Sequence, residues 1–548
     1  MERAFNLIDE PWILVRDAEC EVKTVSLKDA LLSAHTFTGL AGETKTQDFA
    51  VFRLMLAVVY TVFSRYDSSG NERDPDDDLM DQWEEIWQAG KLPEAPIQRY
   101  LDEWHDRFWL FDEQYPFYQT NAVKEKSKPL STSKMNGALF QSANKARLFM
   151  DSSSDNRSLT FPEAARWLLH LICFDDIAAK HPTPKKAWCS KLSLIALTGS
   201  NLFETLMLNY RADYDTDRGV ESPSWEIDYS KTDYNREISI PDNQAALLTL
   251  RSRHVYLIRK SDRVSQYYLA GGEWFEADAV FDEQMTLWSG KQEKKDSVPV
   301  FYPKRYDRSK HIWQEFASIC ALSNTEKDSA NLFRPAGVIE WQKKLIEKKI
   351  IDRNYHIKVC TASVIYDFNQ ATSLPVIDSV SDTLSFHAAL LEDVGYAWRT
   401  RIIDEIGKCD KAASYVYHLY KHLQFAGGRR DKDGKESQSG ETDAKQEFYA
   451  RIDRTFRLWL DELNPDYDFG EYCAKLEAEL YRIALHYGKE LVNQIGADAV
   501  FGRIISDDKG KKTYYSGAFA LNGYYSKIGK LFEAGKKMSM GGEKNEQI

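Results

Sequence analysis

The chain has 548 residues, of which 43% are hydrophobic and 13% are aromatic. That is enough apolar material for about two to four globular domains, and it excludes a disordered chain. The formal net charge of −12 argues against a free-standing DNA-binding protein, because affinity for phosphate usually gives a basic total. An acidic total still leaves room for local basic surfaces.

The cysteines, the N-terminus and the most apolar stretch favour a cytoplasmic protein. The seven cysteines lie far apart and form no CxxC pair, so neither a disulfide framework nor a zinc ribbon is expected. The N-terminus lacks the basic start and cleavage site of an export sequence. Residues 50–63 are fewer than the roughly twenty of a membrane span and include Arg53. We therefore expect a buried core helix and no membrane partner.

Up to about residue 382, short β-like runs alternate with helical patterns, which is typical of an α+β domain of irregular topology. Apolar residues recur at helical spacing in residues 46–63, 162–174 and 200–210. Extended runs occupy residues 254–260, 265–271 and 356–368, and a second run through Leu374, Val376 and Ile377 follows the last of them. These patterns predict a large mixed α/β domain over residues 1–382.

From residue 383 onward, helical spacing predominates, which predicts a C-terminal helical domain over residues 383–548. Candidate helices lie near residues 383–408, 410–425, 445–463, 468–495 and 516–535, a number that fits a four-helix bundle with one extra helix. In the third, Phe448, Ile452, Phe456 and Trp459 form one apolar stripe. The Gly-rich charged stretch over residues 427–446 is predicted to be a disordered loop.

The sequence shows no catalytic apparatus. It contains no P-loop, HExxH, GxSxG or paired-histidine metal spacing, and its eleven histidines are scattered. We therefore expect neither an enzyme nor a bound metal or cofactor. A hydrolase whose carboxylate ligands converge only in the fold stays open as an alternative.

Two segments are locally basic. Residues 121–147 carry six cations against Glu125, namely Lys124, Lys126, Lys128, Lys134, Lys145 and Arg147. Residues 291–310 form the second, with Lys291, Lys294 and Lys295 near its start. Such segments suit contacts with a phosphate backbone, but a solvated loop explains the same composition. Composition alone does not decide between the two.

A polar tract, Asn369-Gln370-Ala371-Thr372-Ser373, lies between the two last β-like runs and is predicted to form a hairpin tip. An amide side chain on such a tip can enter a duplex groove, hydrogen-bond base edges and separate a base step. An ordinary turn accounts for the same residues, and spacing alone favours it.

Several segments in the same order give the chain its resemblance to a known family. They are FNLIDEPWILV at 5–15, PFYQTN at 116–121, SANKARLF at 142–149, EAARWLLH at 163–170, SNLFETLMLN at 200–209 and NQATS at 369–373. On these residues, the chain resembles the large subunit (CasA) of the type I-E CRISPR Cascade surveillance complex. The resemblance covers nearly the whole chain.

The resemblance implies a non-catalytic protein with a mixed α/β domain followed by a four-helix bundle. Members of that family recognise the protospacer-adjacent motif in double-stranded DNA and start strand separation there. They also help to recruit the helicase-nuclease. The implied partners are therefore target DNA, the 5′ handle of the CRISPR RNA (crRNA), the other Cascade subunits and the helicase-nuclease. The alternative is a structural scaffold that contacts guide RNA only.

The resemblance also implies roles for individual residues. Gln370 corresponds to the glutamine wedge, flanked by Asn369 and Ala371. Residues 119–135 correspond to the loop near the guide RNA, where the best match is at Gln119 and Asn121 and the basic contacts are Lys124, Lys126 and Lys128.

The family's glycine loop falls on residues 142–145, but Ala143 occupies the expected glycine position, which limits how closely the backbone can approach a base pair. Asn144 and Lys145 follow it, and Lys145 is able to compensate by contacting phosphate or a base edge. The family's lysine finger falls among Lys291, Lys294 and Lys295, and Lys294 is the residue we favour.

Overall fold

The computed structural model divides into two compact units. It describes residues 3–74, 76–125, 127–135, 158–174, 177–178, 187–213, 220–229, 236–276, 280–291, 298–320, 332–366, 373–374, 376–428, 439–506 and 512–545. Unit 1 comprises Met1–Asp307, Ser323–Ile350 and Ile357–Thr383; unit 2 comprises Arg308–Leu322, Ile351–His356 and Leu384–Ile548. Residues 308–322 and 351–356, which fall within the first predicted domain, thus belong to unit 2.

The strands are short and form several small sheets. They are β1 Ala4–Asn6, β2 Ile13–Asp17, β3 Val22–Val25, β4 Phe37–Leu40, β5 Trp109–Phe111, β6 Leu130–Ser131, β7 Leu159–Thr160, β8 Ile177–Ala178, β9 Leu194–Thr198, β10 Arg253–Lys260, β11 Arg263–Gly271, β12 Trp288–Lys291, β13 Val300–Pro303, β14 Leu332–Arg334, β15 His356–Tyr366, β16 Ser373–Leu374, β17 Val376–His387, β18 Arg503–Ser506 and β19 Lys512–Tyr515.

The helices range from single turns to more than eight turns. They are α1 Leu27–Leu32, α2 Lys45–Arg65, α3 Leu79–Ala89, α4 Glu94–Glu103, α5 Phe161–Phe174, α6 Leu202–Asn209, α7 Gln244–Leu248, α8 Phe316–Ile319, α9 Gly337–Glu347, α10 Tyr396–Ala426, α11 Ser439–Asp461, α12 Phe469–Ile495, α13 Asp498–Phe501, α14 Gly517–Leu531 and α15 Glu533–Asn545.

Helix α2 forms the centre of unit 1. The Thr44 hydroxyl caps it by accepting a hydrogen bond from the Gln47 amide, and every residue from Thr46 to Phe63 is buried. A helix that is apolar on all sides must be surrounded by protein or lipid. In the described part of the chain, α2 is the one helix long and apolar enough to cross a membrane, and its apolar window is wholly buried within the protein. The prediction of a buried core helix is confirmed.

The described part of the first basic segment packs against the hairpin of β10 and β11. The two strands pair antiparallel from Arg253↔Gly271 to Lys260↔Arg263. On its other edge, β11 pairs with β6 and β7. The predicted extended runs at residues 254–260 and 265–271 are therefore confirmed as neighbouring strands.

Two further sheets contain the strands that neighbour the other predicted contact segments in the sequence. One has the order β13-β12-β14, and the other has the order β17-β15-β9. Strands β15 and β17, which flank the NQATS tract, are neighbours, as the hairpin interpretation predicted. The two-residue strand β16 pairs instead with β8, through Ser373↔Ala178 and Leu374↔Ile177.

Unit 2 is mainly helical, which confirms a helical C-terminal region. The apolar stripe of α11 is buried as predicted, with Phe448, Ile452 and Phe456 fully enclosed. Helix α10 packs against α11, α12 and α14, while α12 also packs against α11, α14 and α15. A two-stranded hairpin, β18 and β19, interrupts the helices before α14.

The start of this region differs from the sequence prediction in three ways. Residues 383–387 continue strand β17, because Leu384 and Phe386 are buried in alternation with Thr383 and Ser385. The two helices predicted near 383–408 and 410–425 are one helix, α10, since Cys409, Ala412 and Ala413 continue its buried face. Helix α11 begins at Ser439, within the predicted disordered loop.

Candidate nucleic-acid interface

Gln119 and Thr120 fix the first basic segment to the sheet. The Gln119 side chain is buried; its Nε2 donates to the Leu110 carbonyl at 2.6 Å, and its Oε1 accepts from the Leu257 amide at 2.8 Å. The Thr120 amide donates to the Val255 carbonyl at 2.9 Å. Gln119 thus bridges β5 and β10, which fits a residue that positions the loop.

The turn after Thr120 has an exposed lysine, Lys124, next to a buried residue, Val123. Residues Asn121–Glu125 form a 3₁₀ turn in which Val123 is fully buried against Tyr256 and Ala270. Lys124 is exposed; its Nζ donates to the Asn121 Oδ1 at 3.0 Å and lies 3.5 Å from the centre of the Tyr256 ring. The cation is therefore held at a defined place on the surface.

The segment returns to the sheet at β6, where Leu130 pairs with Tyr267 and Ser131 with Gln266. Lys128, just before β6, and Lys134, just after it, are both exposed. Because the segment is attached at Thr120, Val123 and β6, its described lysines project from a fixed backbone. Lys126 lies outside the described residues, as do Ala143, Asn144 and Lys145.

The second basic segment begins on a strand, not in a loop. Lys291 is the exposed last residue of β12 and pairs with Val300 of β13. Lys294 and Lys295 lie in the connection between these strands, outside the described residues. Strand β12 is the central strand of its sheet.

Asn369, Gln370 and Ala371 lie outside the described residues. The strands before and after them in the sequence are described. Strand β15 ends at Tyr366, and β16 begins at Ser373. The chain between them is therefore attached to β15 on one side and, through β16, to β8 on the other.

Two arginines that no sequence pattern singled out, Arg107 and Arg251, line a cavity of about 30 Å³ at the start of the first basic segment. Arg251 is buried, and its Nη2 donates to the Thr120 Oγ1 at 2.9 Å. The sequence contains one signal that could have pointed to this site, which is the position of Arg251 just before the extended run at residues 254–260. That signal does not distinguish a buried arginine from an exposed one.

The described ranges contain no candidate metal site, because no three His, Cys, Asp or Glu residues come together there around a possible ion. Burial lowers the pKa of His170 to about 3, and its Nε2 lies 3.0 Å from the Thr46 hydroxyl. The imidazole of His170 is therefore neutral at pH 7 and serves as a core residue.

Comparisons with known proteins agree over nearly the whole chain. The profile of the CRISPR-associated protein Cse1 family matches residues 6–487. The CRISPR-associated protein CasA/Cse1 of Thermus thermophilus is 34% identical over 228 residues, which are 41% of this chain and 42% of that protein. That alignment thus spans less than half of the curated relative.

Solved structures give the same fold. Thermobifida fusca Cse1 has a TM-score of 0.78 at 24% identity, over 97% of this chain and 99% of that one. Acidimicrobium ferrooxidans Cse1 has a TM-score of 0.73 at 22% identity, over 98% and 99%. A chain of a CRISPR RNA-guided surveillance complex has a TM-score of 0.67 at 15% identity, over 96% and 100%.

The fold of this chain is therefore one that also occurs in a chain of a CRISPR RNA-guided surveillance complex. More narrowly, the chain belongs to the CRISPR-associated Cse1 (CasA) family, the large subunits of type I-E Cascade.

Proposed function

We propose that this chain reads the protospacer-adjacent motif in double-stranded DNA and starts strand separation there. The observation that carries the proposal is that paired strands precede and follow the NQATS tract in a chain that belongs to the Cse1 family: β15 pairs with β17 and β9, and β16 pairs with β8. Gln370 acts as the wedge, and Asn369 and Ala371 flank it. A wedge must resist the force of the base pairs that it separates, and paired strands on both sides provide a rigid base.

The first basic segment is the contact to the 5′ handle of the crRNA. Lys124, Lys126 and Lys128 neutralise backbone phosphates, since each exposed lysine there can replace condensed counterions. Asn121 holds Lys124, and Gln119 holds the loop on β5 and β10. The role of Gln119 is positioning, because both ends of its amide are already bonded inside the protein.

Motif preference depends on residues near the duplex. Ala143 takes the place of a glycine, Asn144 and Lys145 follow it, and Lys294 reaches DNA from the connection between β12 and β13. A minor-groove reader distinguishes mainly A·T from G·C pairs, so several motifs are tolerated.

Unit 2 provides the contacts to other proteins. Helices α10, α11, α12 and α14 form the family's four-helix bundle, which faces the other Cascade subunits and helps to recruit the helicase-nuclease. The protein is non-catalytic and acts in the cytoplasm without cofactor or metal.

The test is opening of a motif-bearing duplex by the assembled complex that contains Gln370→Ala. We expect loss of R-loop formation with unchanged assembly on guide RNA. Gln88→Ala is the matched control, because Gln88 is an exposed amide of unit 1 that donates to Glu84 of the same helix. Wild-type rates of opening by Gln370→Ala would refute the wedge. The preference of the complex for motif-bearing over scrambled duplex is measured with and without this subunit. If the subunit does not change that preference, the scaffold alternative is favoured.

A further inference from the structure

Arg251 is a buried cation without a carboxylate in ion-pair contact among the described residues. Its side chain is enclosed, with the residue 4% exposed, and its Nη2 donates to the neutral hydroxyl of Thr120 at 2.9 Å. Its Nε has no hydrogen-bond partner within the same part of the chain. A buried arginine normally has an ion pair, because removing its charge from water is costly.

Two tyrosine rings surround this guanidinium. Its central carbon lies 4.0 Å from the centre of the Tyr229 ring and 5.9 Å from that of Tyr118. Ring contacts of this kind offset only part of the desolvation of a cation. The backbone φ of Tyr118 is 55°, in the left-handed region that side chains other than glycine rarely adopt. A strained tyrosine thus forms one wall around Arg251.

A second arginine, Arg107, lines the same cavity as Arg251. Arg107 is half-buried, with its guanidinium carbon 3.8 Å from the centre of the Tyr115 ring. No ion pair to Arg107 is found within the described ranges. Gln114 and Asn121 also line the cavity and are accessible to solvent. The cavity volume of about 30 Å³ has room for roughly two water-sized atoms.

The surroundings of the cavity have an excess of positive charge. The buried carboxylate that interacts with Arg251 at longer range is Glu273, and its oxygens are already engaged by the Tyr229 hydroxyl at 3.0 Å and by Arg236. Burial, together with Arg251 and Arg236, lowers the pKa of His254 to about 3, so this imidazole is neutral. The cluster therefore contains more cations than anions and favours an added negative charge.

We propose that Arg251 and Arg107 form a binding site for a phosphate group at the start of the first basic segment. The two free oxygens of a phosphodiester match the room in the cavity, and two guanidinium groups supply charge-assisted donors. The source is either a backbone phosphate of single-stranded RNA or a free phosphate. Only the RNA source rests on the proposed function.

The experiment measures thermal unfolding of the purified full chain in chloride, in inorganic phosphate and with a short single-stranded RNA, at one ionic strength. For the wild type, we expect a midpoint that rises by roughly 2 °C or more when the ligand saturates the site. Arg251→Met should abolish that rise. Its midpoint in chloride should be unchanged or higher, because an apolar side chain replaces a buried, unpaired charge.

Lys260→Met is the matched control, since it removes an exposed positive charge from β10 and should keep the ligand-dependent rise. If Arg251→Met does not fold, Arg107→Met provides the test, and we expect about tenfold weaker ligand binding. An Arg-dependent rise with RNA supports a backbone phosphate, and one with inorganic phosphate alone supports a free phosphate.

A persistent rise in Arg251→Met, or no rise in the wild type with either ligand, would overturn the site. Motif-dependent duplex opening is measured separately on the assembled complex. A failure of this site therefore leaves the proposed function intact, and a failure of motif reading leaves the phosphate site intact.

Discussion

Arg53 and Glu283, which are 230 residues apart in the chain, form a doubly hydrogen-bonded ion pair inside unit 1, with distances of 2.9 and 3.0 Å. Both side chains are 1% exposed. The Trp188 Nε1 donates to the same carboxylate at 2.7 Å, and the Leu247 carbonyl accepts from Arg53 at 3.1 Å. The pair thus connects helix α2 to the segment before β12.

Arg53→Met should destabilise unit 1 by about 3–5 kcal/mol, because it leaves the Glu283 carboxylate buried without a cation. Urea unfolding followed by tryptophan fluorescence measures the loss. Arg99→Met is the control, since Arg99 is exposed and pairs with Glu72 at 3.5 Å; we expect a change below about 1 kcal/mol. Equal effects of the two variants would contradict this account.

Gln119→Leu should loosen the attachment of the first basic segment. The change leaves the Leu257 amide and the Leu110 carbonyl without their side-chain partner, at a cost of about 1–3 kcal/mol. Hydrogen exchange at the Leu257 amide should become faster, and affinity for the guide RNA should fall. Gln88→Leu, at an exposed position of unit 1, should change neither quantity. Unchanged exchange at Leu257 would show that Gln119 does not hold the loop.

Replacing Lys124 and Lys128 together by glutamine should weaken RNA binding uniformly across sequences. Each lysine that neutralises a phosphate of a single strand contributes about 0.7 to the slope of log affinity against log salt. A titration with KCl should therefore show a slope that is shallower by about 1.4 for the two lysines together. Lys91→Gln with Lys348→Gln removes the same charge from exposed positions elsewhere in unit 1. The same shallower slope in this control would mean that the effect comes from total charge.

Unit 2 should lose stability in acid through Asp453. Burial alone would raise the pKa of Asp453, but contacts with His311, Arg457 and Trp313 outweigh it and lower the pKa to about 2. An unfolded aspartate has a pKa of about 3.9. The stabilisation is therefore complete above about pH 4 and is lost as the pH falls towards 2.

Asp453→Asn should flatten the dependence of unfolding free energy on pH between about 4 and 2, as measured by urea titrations at each pH. Asp443→Asn, at an exposed position of the same helix, should leave that dependence unchanged. A slope in Asp453→Asn equal to that of the wild type would assign the acid sensitivity to other carboxylates.

Periodicity predicted the elements whose burial follows one simple pattern. Helix α2 is apolar on every side, and β10 and β11 alternate or run apolar between turn residues, so their type could be read from sequence. Burial also alternates at the end of β17, where Leu384 and Phe386 are buried. The apolar residues at helical spacing that follow in the sequence make this short alternation hard to recognise. Helix α10 is continuous through Cys409, because the charged residues around Cys409 leave the buried face of the helix uninterrupted.

The candidate interface was predictable in part. Charge marked the loop with Lys124 and Lys128, but it did not reveal that Gln119 faces inward and positions that loop. Arg251 was not predictable, because its burial depends on Tyr118 and Tyr229, which come from other parts of the sequence. Contacts between residues so far apart in the sequence form only when the chain has folded.

The separation of Arg53 from Glu283 also has a consequence for biosynthesis. A ribosome adds about 5–20 residues per second, so roughly 10 to 50 seconds pass between the synthesis of the two residues. During that time α2, the longest described helix of unit 1, has no carboxylate for its arginine. Nascent chains of this protein should therefore depend on chaperones until residue 283 has emerged.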